Sequence, residues 1–256
     1  MNMHHMDQTQ ASRQLGRVAA LALFFFGVAY TIITIVGLAS LKSPQQPIPD
    51  PFQFLMELLI VVMAPLYVAV MVAVHAYAER SVKAYSLMAL AFMIVCAAIT
   101  SSVHFVMLTV SRQVAFTSIS WMPLFLSWKW PSVIYALDIL AWDWFWGLSL
   151  LFAALVFKGG RLQTAVRITM AVSGVLSLVG LIFLPFGDLQ LRMIGIFGYA
   201  GLGPVVFLLV ALVFGRAESR SQEAARSLGP ELWPSNGKEH PQEGFKEDSF
   251  KEIHTV

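Results

Sequence analysis

Charge is scarce in this sequence. Only 12% of its 256 residues are Asp, Glu, Lys or Arg, whereas 57% are hydrophobic. That charge share is about half of what a soluble domain carries. With a mean hydropathy of +0.70, a soluble core of this length could not hide so much apolar surface. Lipid is therefore the expected solvent for much of the chain. The net charge of +2 leaves no basic footprint, so no nucleic-acid partner is expected. Cysteine is nearly absent as well. Cys96 stands alone inside an apolar run, which excludes an intramolecular disulfide and suits a small buried apolar side chain. CxxC, HExxH, Walker and GxGxxG patterns are all missing, so the redox, zinc and nucleotide chemistries they mark are not signalled.

Long apolar runs are abundant. Six stretches, near 17–40, 53–78, 84–110, 132–157, 163–184 and 191–214, are each long enough to cross roughly 30 Å of hydrocarbon as a helix. The expected fold is an all-α, six-helix, multi-pass membrane bundle. Val18 to Ala39 is longer than the apolar region of a usual signal peptide, so it is expected to stay as the first helix. Arg13, Arg17, Arg80, Lys83, Lys158, Arg161, Arg167, Arg216, Arg220 and Arg226 flank one set of helix ends, and only Lys42, Arg112, Lys129 and Arg192 flank the other. The positive-inside rule makes the first set cytosolic, and an even helix count then puts both termini there. The expected location is a multi-pass integral membrane protein, in the endoplasmic reticulum if the cell is eukaryotic.

The expected organisation is a cytosolic segment 1–16, a membrane domain 17–214 and a tail 215–256. The tail is rich in Glu, Lys, Ser, Gly and Pro and cannot bury enough surface to offset the entropy of ordering. Two non-cytosolic connections carry structure signals. Pro44, Pro47, Pro49 and Pro51 cannot continue a helix and predict a stiff extended loop. Between Arg112 and Pro131 lie Phe116, Trp121, Phe125, Trp128 and Trp130, which suit the headgroup level, either as a lid or as an anchoring belt.

Ionisable residues at bilayer depth cost several kcal/mol and ordinarily face a partner or a cavity. Four stand out: Glu57, His104, Asp138 and Asp143. At about 1.5 Å rise per residue, Glu57 falls roughly 12 Å, and His104 and Asp138 roughly 10 Å, to the non-cytosolic side of their helix midpoints. Three consecutive helices thus place acid, base and acid in one layer, with Asp143 nearer the midplane. On the third helix, Thr100, Ser101 and His104 form one polar stripe. On the fourth, Asp138 shares a face with Trp142, whereas Asp143 is expected about 140° away beside Trp146. The two acids are therefore not expected to line the same wall equally. His75, about five turns below Glu57, is expected at the opposite interface, so His75 and His104 cannot clamp one haem. Glu57, His104 and Asp138 come singly from different helices and match no metal-ligand spacing. Neither a metal nor another cofactor is expected. In the last helix Gly195, Gly198, Gly201, Gly203 and Pro204 permit close helix contact and a bend.

Two functional classes compete with a purely structural reading. A carboxyl group in a dry aromatic pocket resists ionisation and can keep a proton to donate, while aromatic faces stabilise a developing cation. Together these suit a proton-initiated isomerisation or cyclisation of a lipid-soluble isoprenoid. The same layer could serve a small-molecule or proton-coupled transporter. A His–carboxylate bond can also simply fasten helices in a scaffold subunit. The run Tyr135-Ala136-Leu137-Asp138-Ile139-Leu140-Ala141-Trp142-Asp143-Trp144-Phe145-Trp146, with the size, helical layout and intramembrane acids, resembles the small membrane-bound terpene cyclases of fungal meroterpenoid pathways, of the ascofuranone and ascochlorin type. That resemblance implies a terpene cyclase of secondary metabolism acting on an epoxidised prenylated intermediate. Glu57, His104, Asp138 and Asp143 would then be catalytic, and Ser101, Trp142 and Trp146 would line the substrate chamber. The expected partners are the lipophilic substrate and membrane lipid. The oligomeric state is left open.

Overall fold

The computed structural model of the chain describes residues 3–43, 46–113, 119–186 and 189–227. Among them there is no strand. Six helices are long and apolar enough to cross a membrane: Gln10–Ala39, Phe52–Tyr77, Arg80–Arg112, Val133–Ala154, Arg161–Phe186 and Leu191–Ala217, here α1 to α6. Their outward surface is apolar, with Phe25, Ile32, Leu87, Ile168 and Leu212 all exposed. A water-soluble monomer does not present such a surface, and the six helices mark a multi-pass membrane protein by length and composition.

Two helices exceed the expected bounds. The first is already helical from Met3, within the segment expected to precede it. The last runs on to Ser227, past the compositional break at Gly215, because Ala, Glu, Gln and Arg there are good helix formers. The rest of the expected tail, 228–256, lies outside the described residues, as do Pro44 of the proline-rich connection and Phe116 of the aromatic one. The chain divides into compact units Met1–Arg220 and Ser221–Val256, and all six spans belong to the first.

Lipid-facing helices gain little from burying apolar surface against one another, so close packing and hydrogen bonds hold them. One tight crossing joins α4 to α5. A Cβ on Gly147 would lie 3.0 Å from the Gly174 carbonyl oxygen, and one on Gly174 would lie 2.7 Å from that of Gly147. Ser149, fully buried, donates to the Ala89 carbonyl at 2.8 Å and ties α4 to α3.

α4 and α6 are not uniform α-helices. α4 passes from α-helix (Val133–Ile139) through a π turn (Leu140–Phe145) and back (Trp146–Ala154). α6 contains a second π turn at Phe197–Gly201, immediately before Pro204, which cannot donate a backbone hydrogen bond to the turn below it. The Ser173 hydroxyl of α5 donates to the Gly198 carbonyl of this widened turn at 2.6 Å. Such π turns concentrate at functional sites.

At the end of the bundle carrying the 40–51 connection, Asp50 and Arg112 join the starts and ends of neighbouring helices through two contacts, 2.5 and 3.1 Å. The hydrogen bond from Arg112 is the main reason the Asp50 carboxyl lies below the usual carboxylate range. A depressed folded-state value stabilises above the ordinary value near pH 4, and that contribution is lost as pH falls through the lowered value. Because Asp50 is well exposed, the pair is worth about 0.2–1 kcal/mol. Melting midpoints of wild type and Arg112→Gln should therefore differ slightly at neutral pH and converge in acid. Gly174→Leu should cost about 1–3 kcal/mol through overpacking. Gly160→Ala, where an added Cβ meets nothing within 4 Å, should stay within about 0.5 kcal/mol. Thermal unfolding in mixed micelles checks both.

Candidate functional site

Four of the six helices send titratable side chains into one buried cluster. Glu57 of α2 is 1% exposed, His104 of α3 7%, Asp138 and Asp143 of α4 8% and 0%, and Arg192 of α6 3%. Glu57 Oε2 lies 2.5 Å from His104 Nδ1. Its other oxygen accepts from the Trp128 indole N–H at 2.8 Å and from the Gln53 amide. Two N–H groups already donate to Oε1, so an ionised Glu57 takes the His104 Nδ1–H at Oε2 and leaves Nε2 turned inward. Trp128 also packs on that ring, centroids 5.2 Å apart. His104 Nε2 then stands 3.5 Å from Asp138 Oδ1, and both of these atoms lack a hydrogen-bond partner.

Arg192 is the second hub. It reaches Asp138 Oδ2 at 3.3 Å and Asp143 Oδ2 at 3.6 Å. It also donates to the Tyr135 and Tyr199 hydroxyls at 2.8 and 3.4 Å, with its guanidinium 4.5 Å above the Tyr135 ring. The sequence presents Arg192 as a loop charge because it stands near a helix end. The expected span 191–214 already holds it, but carboxylates and phenols turn it inside instead of toward water.

Asp138 lines the cavity and Asp143 does not, in keeping with the unequal placement expected from the sequence, but the separation of about 140° does not hold, because both reach Arg192. That angle assumed α-helical geometry. The π turn between them, closed by the Trp146 N–H bonding the Ala141 carbonyl, bonds residues five apart instead of four. Positions 138 and 143 thereby return to one side, toward Arg192. Asp143 needs room there, and two glycines supply it. A Cβ on Gly180 would lie 2.5 Å from Asp143 Oδ1, and one on Gly195 would lie closer still.

The cluster borders a cavity of about 1330 Å³, larger than the roughly 300–1,000 Å³ of most small-molecule sites. Glu57, His104, Asp138, Arg192, Trp142 and Trp146 line it. Asp143 does not; it sits behind Arg192. Ser101 is also outside, because its hydroxyl turns back to the Ala97 carbonyl at 2.6 Å. Trp144 is 44% exposed and faces outward. The aromatic connection contributes Trp128 and Trp130 to the cavity wall, while Trp121 and Phe125 stay exposed.

Aromatic rings close the cavity floor. Trp142 lies 5.3 Å from Trp146 and 5.2 Å from Tyr199, and Tyr67 stands edge-on to Trp142 and Trp146 at 5.8 and 5.2 Å. Phe207 completes the group, 5.4 Å from Tyr67. Among the described residues no three His, Cys, Asp or Glu side chains form a group that could hold a metal ion. Chemically the arrangement offers an acid–imidazole–acid relay above an electron-rich apolar bowl.

Removing Arg192 would strand two buried carboxylates. Arg192→Met should destabilise the fold by about 3–5 kcal/mol, and adding Asp143→Asn should recover part of that loss. Denaturation midpoints of both variants test this. Compared with protein-family models, with curated proteins and with solved structures, the chain matches none.

Proposed function

We propose that this protein is a membrane-embedded isomerase of the cyclase type, which transfers a proton to a lipophilic prenylated substrate. The carrying observation is the unpartnered pair of His104 Nε2 and Asp138 Oδ1, 3.5 Å apart and on the wall of an aromatic cavity. Three carboxyl groups face two cationic partners when His104 is protonated. A neutral buried cluster therefore holds one proton beyond full ionisation of its acids, and low-dielectric surroundings favour neutrality. We place that proton on Asp138, the acid whose unpartnered oxygen borders the cavity.

With an epoxidised prenyl chain as substrate, Asp138 protonates the epoxide oxygen and the C–O bond breaks. A chain alkene supplies the electron pair for a new C–C bond. The resulting cation rests over Trp142 and Trp146 and loses a proton to the His104–Asp138 pair. One proton enters and one leaves, so product and substrate have the same mass. Glu57 acts as a positioning residue, Arg192 balances charge, and no cofactor is consumed. The closed aromatic floor suits a chamber better than a through-pathway.

The basic residues around the other ends of the helices favour a cytosolic placement for them and for both termini. The relay then opens toward the lumenal or external leaflet, the former if the membrane is the endoplasmic reticulum.

The test is conversion of an epoxidised prenylphenol to a same-mass product by the purified protein in lipid nanodiscs. Asp138→Asn should lower turnover about 10²–10⁴-fold, and Glu57→Gln by less, both with the melting behaviour of a folded protein. Full turnover in folded Asp138→Asn would sink the acid role.

A further inference from the structure

The cavity has a side opening whose lips are helices α1 and α6. Near one end these helices are in close contact. A Cβ on Gly16 would lie 2.7 Å from the Phe214 ring, and one on Gly27 would lie 2.9 Å from Pro204. Beyond Gly27 they part. By Gly37, α1 leans instead on Ile48 and Phe52, 2.7 and 3.2 Å from an added Cβ. In the fork between, Ile35 and Leu38 of α1 and Met193 and Phe197 of α6 both line the cavity and stand more than half exposed on the outer surface. A residue can do both only where a wall is breached.

The lips have the chemistry of the bilayer interior. On α1 the polar members are Tyr30, Thr31 and Thr34, and each threonine hydroxyl bonds the carbonyl four residues earlier, at 2.9 and 2.8 Å. What the two threonines offer the opening is methyl groups. The cavity's other rim, around Gln46, Ser127 and Lys129, is polar. An apolar chain crossing that rim would have to leave the lipid first, whereas the fork costs it no exposure to water.

We propose that the gap between α1 and α6 is a lateral portal, through which a single-chain amphiphile slides from the bilayer into the cavity. Its apolar chain rests on the Tyr67–Trp142–Trp146–Phe207 floor and its polar end stays near the His104–Asp138–Arg192 layer. This rests on reading the cavity as a chamber for a lipophile, and names its source and its route.

The probe is palmityl alcohol with a diazirine at its chain end, photolysed in phosphatidylcholine vesicles holding the full-length protein. Adducts are mapped by peptide mass spectrometry. In wild type they should fall on the floor residues. Thr31→Trp and Met193→Trp, one plug from each lip, should lose them. Ile32→Trp should keep them, because Ile32 is 56% exposed and does not line the cavity. Floor adducts that persist in both lip variants, or are absent from wild type, would overturn the portal. Asp138→Asn should keep the adducts while losing turnover. If it kept both, the acid assignment would fail and the portal would stand.

Discussion

Arg192 carries the constraint on which the rest of this structure depends. A guanidinium inside an apolar bundle must be matched by opposite charge and hydrogen bonds, or the fold bears an uncompensated buried ion. Matching it takes two carboxylates and two phenols, from α4 and from α6 itself. No straight α-helix presents Asp138 and Asp143 to the same cation. The π turn in α4 widens the backbone by one residue per turn and does so. The second carboxylate then needs space between α5 and α6, and Gly180 and Gly195 leave it by having no side chain. A backbone irregularity in one helix and bare backbone in two others are thus consequences of one charge.

The relay inherits its geometry from that arrangement. Arg192 holds Asp138 by one oxygen, Oδ2, which leaves Oδ1 toward the cavity and the imidazole. From the other side Glu57 spends its oxygens on Gln53, Trp128 and His104, which turns His104 Nε2 to meet that free oxygen. Preorganisation of this sort lets a proton move without first rearranging the helices. In the proposed mechanism it also separates the acids by role: one orients, one exchanges a proton, and one neutralises.

Much of this is legible in the sequence, and what is not has a definite physical cause. Depth arithmetic on α2, α3 and α4 puts Glu57, His104 and Asp138 in one layer because rise per residue is nearly constant. Facing is less secure. Ser101 lies within one turn of His104, yet its hydroxyl satisfies itself on its own helix, an option open to any serine in an apolar helix. That Asp143 shares Arg192 with Asp138 depends on a π turn, and nothing in Leu140–Phe145 announces one by composition. Arg192 looks like a loop charge because positive residues at helix ends ordinarily reach water. The clue is its spacing: Tyr199 lies two turns along the same helix, and glycines at 195 and 198 bring that face against α5. Trp128 has the ambiguity of every tryptophan near an interface, where an anchor and a wall share the same composition.

The helices are not held equally, and that inequality bears on access. α4, α5 and α6 meet through glycines and buried hydroxyls, contacts with little slack at distances near 3 Å. α1 brings no acid, histidine or arginine to the cluster, only the Tyr30 phenol on the cavity wall, and is in close contact with α6 only toward one end. In a membrane the packing of an apolar helix competes with lipid that is equally apolar, so the part of α1 beyond Gly27 gains little by closing on α6. A chamber that must admit a lipid-soluble chain and still keep its charges dry would be expected to divide labour in this way. The charged layer belongs to α2, α3, α4 and α6, and the opening falls beside α1, whose displacement breaks no ion pair of that layer.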